Sequence, residues 1–201
     1  LDVHDIDGDG DLDLFGIRFW QQEIVWYENK GINADLNSSL ELTEHVIGFQ
    51  YYKPSHIQAA DMDGDGDSDF LVALDGAYPD RDSYIGWLEN PGTELGEDSV
   101  GDFLGHTIRI IYQKTLLSVY PKDVDGDGDM DVFSNMTAGF SWYENTGMNV
   151  GENSIDEFVE HIEENDMVYA ARSVPDDLDG DGDVDVFSIS REDGITWFEK
   201  F

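Results

Sequence analysis

Residues 5–13 read Asp5-Ile-Asp-Gly-Asp-Gly-Asp-Leu-Asp13, a stretch in which five aspartates alternate with other residues and two of these are glycines. The same pattern, with seven of nine positions unchanged, returns at residues 61–69, 123–131 and 177–185. One unit is therefore roughly 55–60 residues long, and a fixed period of this size indicates a repeat protein. We refer to the four copies as loops 1 to 4 and number their positions 1 to 9.

The segments between the loops also repeat. A short apolar run such as Leu14-Phe15 follows each loop, and then comes an alternating segment centred on a tryptophan, such as Ile24–Glu28. In the first three units another apolar segment, marked by a histidine such as His45, comes next, and a last apolar stretch leads into the following loop. Period-2 alternation, aromatic and β-branched residues, and Gly/Asn turns predict four short strands per unit.

Four strands in about 55 residues are typical of one blade of a β-propeller. We therefore predict an all-β fold, a β-propeller of four-stranded antiparallel blades, as one repeat domain of residues 1–201 with units of about 1–50, 51–112, 113–165 and 166–201. The last blade is expected to be incomplete, because the sequence stops just after its tryptophan segment. We expect either a piece of a longer propeller or a sheet completed by neighbouring chains, with an open edge that favours self-association.

The loop chemistry indicates a metal. Positions 1, 3, 5 and 7 are those that an EF-hand loop uses, position 6 is the glycine of its sharp turn, and an acid at position 9 can close the shell. The alternative, a merely hydrophilic turn, leaves five carboxylates repelling one another within nine residues. Oxygen ligands alone select calcium or magnesium, and this many carboxylates favour calcium, with about four ions, one per loop. The predicted ligands are Asp5, Asp7, Asp9, Asp11 and Asp13; Asp61, Asp63, Asp65, Asp67 and Asp69; Asp123, Asp125, Asp127, Asp129 and Asp131; and Asp177, Asp179, Asp181, Asp183 and Asp185.

The composition restricts the partners. With 46 acidic and 10 basic residues the formal net charge is −36, which argues against nucleic acid and anionic membrane surfaces. There is no cysteine for disulfides or thiolate metal sites. No apolar run approaches the ~18 residues of a membrane span. The opening residues do not read as a signal peptide, so we expect a mature or truncated piece of an exported protein, located outside the cell or on its surface.

The loop and its flanking strands resemble the FG-GAP/VCBS repeats of β-propellers, which occur in integrin α-subunit heads and in many secreted bacterial proteins. The resemblance implies that the aspartates at positions 1, 3, 5 and 9 bind calcium through their side chains and position 7 through its carbonyl. Complete propellers of this family have about seven blades, whereas this chain carries four units. Val174 lies three residues before its loop and Val119 four before its own, which predicts a deletion or bulge near Pro175.

For function, we predict a non-catalytic, calcium-binding module for cell adhesion, scaffolding or self-assembly, with a protein or glycan ligand on the cell surface or matrix. The alternative is a carbohydrate-binding module of a polysaccharide-active secreted protein, with Trp20 and Tyr51 as exposed aromatics. We predict no enzyme, because no nucleophile elbow, zinc-protease helix or phosphate loop is present. Asn37 and Asn135 match the N-glycosylation pattern. The repeated tryptophans are expected between sheets, and His45, His106 and His161 in structural positions.

Overall fold

The computed structural model describes residues 1–33, 39–48, 52–76, 82–92, 103–112, 115–137, 139–147, 158–162, 170–190 and 194–199. Within these ranges the chain forms fifteen β-strands and no helix, so the predicted all-β class is confirmed. The same ranges accordingly contain no helix long and apolar enough to cross a membrane.

The strands form four antiparallel sheets that follow one another along the chain. The first three have four strands each and the last has three among the described residues, as the repeat predicts. Sheet 1 contains β1 (Asp2–His4), β2 (Asp13–Arg18), β3 (Glu23–Asn33) and β4 (Ser39–Gly48); sheet 2 contains β5 (Tyr52–Ala60), β6 (Asp69–Gly76), β7 (Ser83–Glu89) and β8 (Leu104–Ile111); sheet 3 contains β9 (Leu116–Lys122), β10 (Asp131–Met136), β11 (Gly139–Asn145) and β12 (Phe158–Ile162); and sheet 4 contains β13 (Ala170–Asp176), β14 (Asp185–Ser190) and β15 (Gly194–Phe198).

Each sheet is a meander in which neighbours in sequence are neighbours in space. The aspartate loop always connects the first strand to the second, so each loop lies at the same end of its sheet. The pairing register repeats too: Phe15 on β2 faces Trp26 on β3, and Leu71 on β6 faces Trp87 on β7. Because the side-chain period of a strand is two, this register places the tryptophan on the same face of every sheet.

Apolar side chains fill the space between successive sheets. Ile24 and Trp26 of sheet 1 share a buried cluster with Phe70 and Val72 of sheet 2. Similar clusters join sheet 2 to sheet 3 and sheet 3 to sheet 4. We call the face of a sheet that packs on the next sheet its trailing face, and the opposite face its leading face. Each sheet is too thin to bury both faces alone, so this stacking supplies the hydrophobic core.

The burial of individual side chains in these sheets tests several predictions made from the sequence. The expected packing of the repeated tryptophans is confirmed for Trp26, Trp87 and Trp142, which are buried between sheets, and is wrong for Trp197, which is 47% exposed because no described sheet follows it. Asn135, which matches the N-glycosylation pattern, is fully buried in β10, where a glycan could not reach it. Asn37 and Tyr51 lie outside the described residues.

The prediction of a deletion or bulge near Pro175 is wrong, because the pairing of this segment is regular. Pairing between β13 and β14 is regular from Ser173 to Asp176, and the register shift falls between Ala170 and Arg172. Ser173 therefore occupies the buried position that Val119 occupies in sheet 3, and its hydroxyl lies 2.9 Å from that of Ser188. Sheets 2 and 3 have a register shift at the same distance before their loops, between Pro54 and His56 and between Leu116 and Ser118, so this shift belongs to the repeat. Unit four differs here in having serine at the position of Val119.

Candidate metal centres

Each loop is folded around its first aspartate. In loop 2, Asp61 Oδ1 accepts a hydrogen bond from the Gly64 N–H at 2.8 Å, and Oδ2 accepts one from the Gly66 N–H at 3.0 Å. Gly64 and Gly66 have φ angles of +78° and +96°, a region that L side chains rarely adopt. The motif thus needs glycine at position 4 as well as at position 6, where the sequence analysis placed the turn.

The aspartates at positions 3 and 5 continue the same turn. Asp63 Oδ1 accepts from the Asp65 N–H at 3.1 Å, and Asp65 Oδ1 accepts from the Asp67 N–H at 2.9 Å. These bonds recur at the equivalent positions of the other three loops. Side-chain to backbone bonds two residues apart are the means by which aspartate stabilises tight turns. Alternate residues therefore bring their carboxylates to one side of the loop.

The aspartate at position 9 is the first residue of the second strand of the sheet, and its carboxylate holds the loop by two hydrogen bonds. Asp69 is buried, with Oδ2 accepting from the Met62 N–H at 2.8 Å and Oδ1 accepting from the Asn90 N–H at 2.7 Å. Asp13 and Asp131 make the same two bonds in loops 1 and 3. Both ends of the loop and the end of the third strand are thereby tied to one carboxylate.

Three carboxylates converge in every loop, with one oxygen of each lying within 4.8 Å of the other two. In loops 1, 2 and 4 they come from positions 1, 3 and 9, and in loop 3 from positions 1, 3 and 5. The converging residues are Asp5, Asp7 and Asp13; Asp61, Asp63 and Asp69; Asp123, Asp125 and Asp127; and Asp177, Asp179 and Asp185. The other predicted ligands lie outside these clusters: Asp9, Asp11, Asp65, Asp67, Asp129, Asp131, Asp181 and Asp183. Of these eight residues, those at position 7 were predicted to bind through the backbone carbonyl. The predicted role of all eight as calcium ligands stays a prediction.

The clusters carry unfavourable electrostatics. Burial raises the pKa of Asp69 to about 7, with a further contribution from neighbouring carboxylates and an opposing one from its two N–H donors. For the same reasons the pKa of Asp13 and of Asp131 is raised to about 6. Burial also raises the pKa of Asp63, and repulsion by the carboxylate of Asp65 contributes to this shift. A bound cation is the natural means of offsetting this cost, since it favours the charged form of every carboxylate around it.

The residues present fit a hard divalent cation. All converging atoms are carboxylate oxygens, and none is nitrogen or sulfur. In loop 1, Asp5 Oδ2 is bonded to the Gly10 N–H, but Asp5 Oδ1 is buried without a hydrogen-bond partner among the described residues. A buried oxygen of this kind calls for a specific explanation, and a metal ion of the type that prefers oxygen ligands provides one.

The structure also gives a function to the asparagine of the Asn-x-Gly turns, which sequence reasoning treated only as a turn residue. Asn90 Oδ1 accepts from the Gly92 N–H at 3.2 Å, while its Nδ2 donates to Ser68 O at 3.1 Å and to Ile6 O of the preceding loop at 2.9 Å. Asn90 therefore joins loop 2, the third strand of sheet 2 and loop 1. The sequence did contain a sign of this function, because the asparagine recurs three residues after the tryptophan in the first three units.

Neighbouring loops also border common clefts. A cleft of about 240 Å³ lies between loops 2 and 3, with Asp61, Asp63 and Asp129 among the residues that line it. Another lies between loops 3 and 4. Loop 3 is therefore close to loop 2 on one side and to loop 4 on the other, so the negative charges of these three loops are neighbours.

Comparison with known proteins agrees with this geometry. The fold and the loops together describe an all-β repeat protein in which each unit has a loop of aspartates whose carboxylates converge. Residues 5–72 match the family model of the FG-GAP-like repeat, a span that includes loop 1, loop 2 and the strands between them. The predicted resemblance to the FG-GAP/VCBS-like repeats is confirmed by this match. No curated protein and no solved structure matched the chain.

Proposed function

We propose that this chain is a calcium-binding β-propeller module of an extracellular or cell-surface protein, serving adhesion, scaffolding or assembly without catalysis. The observation that carries the proposal is the convergence of three carboxylates in each of four loops, in a chain with a formal net charge of −36. Calcium would be held by these carboxylates and would join the two strands that flank each loop. Its contribution would be structural, through binding to the folded state alone.

Calcium is favoured over magnesium by the character of the loop. Magnesium demands near-ideal octahedral geometry and keeps several waters, whereas calcium accepts six to eight oxygens in flexible surroundings. Five aspartates in nine residues offer many oxygens on a short, turn-rich segment. Extracellular calcium modules bind at about 10⁻⁴–10⁻³ M, so filling of such sites points to a location outside the cell.

The propeller arrangement is supported by the way the first strands of the sheets approach one another. His56 on β5 packs its ring against Tyr120 on β9, with centroids 5.2 Å apart. Arg172 on β13 donates from Nε to the Tyr120 hydroxyl at 3.2 Å. Burial and Arg172 lower the pKa of His56, and Asp2 on β1 opposes this shift. First strands that approach one another are expected when blades are arranged around an axis.

Calorimetric titration with calcium and with magnesium, after exhaustive treatment with EGTA, tests the proposal. We expect about four calcium ions per chain and weaker binding of magnesium. The double variant Asp61→Asn/Asp63→Asn should remove one ion and leave the others. Asp82→Asn is the matched control, because Asp82 precedes β7 at the end of sheet 2 opposite its loop. Absence of calcium binding at millimolar concentration, or unchanged stoichiometry in the double variant, would refute the metal assignment.

A second candidate function, glycan binding, is favoured by one observation. Trp20 is 89% exposed in the turn between β2 and β3, with the Phe19 ring edge-on at a centroid distance of 5.6 Å. An exposed indole beside a second aromatic ring offers an apolar surface with a polar N–H, as binding sites often do. Glycan-array binding that Trp20→Ala abolishes, and that Tyr112→Ala at another exposed aromatic leaves unchanged, would support this function.

A further inference from the structure

The trailing face of sheet 3, which packs on sheet 4, carries two buried polar side chains. Asn135 lies two residues after Phe133 on β10, and Phe133 belongs to the apolar cluster that joins sheets 3 and 4. Because side chains two residues apart point to the same face of a strand, Asn135 also faces sheet 4. Ser118 on β9 is paired directly with Asn135, so its side chain lies on this face as well. Asn135 is 0% and Ser118 is 3% exposed, so both are shielded from bulk water.

Sheet 4 places two buried serines opposite these side chains. Ser188 on β14 follows Val186 of the same apolar cluster by two residues, and Ser173 on β13 is paired with Ser188. The Ser173 hydroxyl donates to Asn135 Oδ1 at 3.3 Å and lies 2.9 Å from the Ser188 hydroxyl. Both serines are fully buried. The contact between the two sheets therefore includes a chain of hydrogen-bonded groups that runs from Ser188 through Ser173 to the amide oxygen of Asn135.

Two polar atoms of this group have no partner in the part of the chain that the structure describes. Asn135 Nδ2 and Ser118 Oγ are both buried, and neither makes a hydrogen bond with a described residue. Buried donors and acceptors in native proteins are nearly always paired, because an unpaired polar group is costly away from water. The β-carbons of residues paired across two strands are about 4.5–5.5 Å apart. Two side chains at this separation whose polar atoms do not bond directly are within reach of one bridging water molecule.

The polar residues between sheets 3 and 4 are smaller than their counterparts between sheets 1 and 2. Isoleucine or valine stands there at the positions, counted from the loops, that correspond to Asn135, Ser173 and Ser188. These counterparts belong to one apolar cluster or pack against it, and they are Ile17, Ile57 and Val72. The exchange of larger apolar side chains for smaller polar ones produces a small space lined by polar atoms. Spaces of this kind hold internal water, whereas apolar cavities stay dry.

We propose that the interface between sheets 3 and 4 binds an internal water molecule as a structural component. The water accepts a hydrogen bond from Asn135 Nδ2 and donates one to Ser118 Oγ, which gives both side chains the partner that the described residues do not supply. Internal waters make two to four hydrogen bonds, and these side chains provide two of them. Neutral amide and hydroxyl groups surround the site, which favours a neutral ligand that both donates and accepts over an ion. The site is separate from the aspartate loops and needs no bound metal.

Oxygen-17 relaxation dispersion of the solvent tests the proposal, because it counts the water molecules that a protein holds for long times. Exchanging hydroxyl protons do not contribute to it. The wild type and its variants should be compared at one calcium concentration, so that any waters at the loops are the same in every sample. Asn135→Leu and Ser118→Val each replace a polar partner with an apolar side chain that fills the space. Each variant should hold one long-lived water fewer than the wild type.

The double variant distinguishes one shared water from two separate ones. Because Asn135 and Ser118 hold the same molecule in this proposal, Asn135→Leu/Ser118→Val should also lose one water, no more than either single variant. Ser83→Val is the matched control, because Ser83 is equally buried, at 3%, but its hydroxyl donates to Asp75 Oδ1 within sheet 2. This control should keep the wild-type number of long-lived waters.

Single variants that hold as many long-lived waters as the wild type would overturn the proposal, and so would a double variant that loses two. Circular dichroism verifies that each variant folds. The wild type also provides a test that needs no variant. The amide protons on Asn135 Nδ2 should show nuclear Overhauser cross-peaks at the water frequency, and their absence would equally refute a water bound between Asn135 and Ser118.

Discussion

The imidazole of His106 lies almost parallel to the indole of Trp87, with ring centroids 4.4 Å apart and an interplanar angle of 17°. His106 Nε2 is 2.6 Å from Glu89 Oε2, so the third and fourth strands of sheet 2 are joined by stacking and by a hydrogen bond. The same Trp–His–Glu arrangement occurs in sheets 1 and 3. It gives each of the repeated histidines a structural contact, as the sequence predicts.

Replacing His106 with alanine should destabilise the fold. The substitution removes the ring from Trp87 and leaves Glu89 without its partner, at a cost of about 1–3 kcal/mol. Urea unfolding would measure the loss as a lower midpoint with an unchanged slope. His4→Ala is the control, because His4 lies outside the three arrangements and should shift the midpoint little. Equal effects of the two substitutions would mean that the stacked histidine does not stabilise the sheet.

Removing calcium should lower the stability of the whole chain. A site filled at ten times its dissociation constant stabilises the folded state by roughly 1.4 kcal/mol, and four sites act on a domain whose total stability is ordinarily ~5–15 kcal/mol. We therefore expect the melting temperature to rise with calcium concentration and to fall on addition of EGTA. Magnesium at equal concentration should restore less of the stability. An unchanged melting curve after EGTA would contradict a structural role for the ion.

Asp131 should stabilise loop 3 even in the absence of calcium. Its two oxygens accept buried N–H groups of Val124 and Asn145, and Asp131→Ala would leave both donors unsatisfied, at about 2–4 kcal/mol. Asp125→Ala removes a carboxylate that bonds only the exposed N–H of Asp127. In EGTA the first variant should therefore unfold at a much lower urea concentration than the second. If both variants matched the wild type in EGTA and differed only with calcium, Asp131 would act solely as a ligand.

Asn90 and Asn29 form a matched pair for testing the bond between sheets. Asn90→Ala removes donors to Ser68 O and to Ile6 O, whereas Asn29→Ala removes a donor to Leu12 O of its own unit. Because the buried Ile6 carbonyl then lacks a partner, Asn90→Ala should cost about 1–3 kcal/mol more than Asn29→Ala. Unfolding should be followed at low protein concentration, where chains are separate. Equal losses would show that the bond to Ile6 contributes nothing.

The repeat made the sheets and loops predictable, because loop spacing, strand alternation and the tryptophan position agree in all four units. What the sequence could not show depends on contacts between distant segments. The two N–H donors of Asp69 come from Met62 and Asn90, of which only the first is close in sequence. The spacing of Val174 likewise predicted a bulge near Pro175, whereas the strand pairing shows a substitution to Ser173 and a register shift that sheets 2 and 3 share. Local pattern predicts the strands and loops, whereas the geometry of the site depends on hydrogen bonds between residues that are distant in sequence.

His56 should make folding sensitive to acid where the first strands meet. Burial and the nearby positive charge of Arg172 lower the pKa of this imidazole, with Asp2 acting in the opposite direction. The unfolded chain therefore binds a proton more readily, so the stability linked to His56 is complete above about pH 6.5 and is lost as the pH falls towards the folded-state pKa. His56→Asn keeps an acceptor for the Val119 N–H, which donates to His56 Nδ1, but cannot titrate. At constant calcium, the difference in the free energy of unfolding between the wild type and this variant should decrease as the pH is lowered from about 8 to about 5. The loop carboxylates are the same in both proteins, so their titration does not contribute to this difference. A constant difference across that range would show that His56 is not held neutral by the fold.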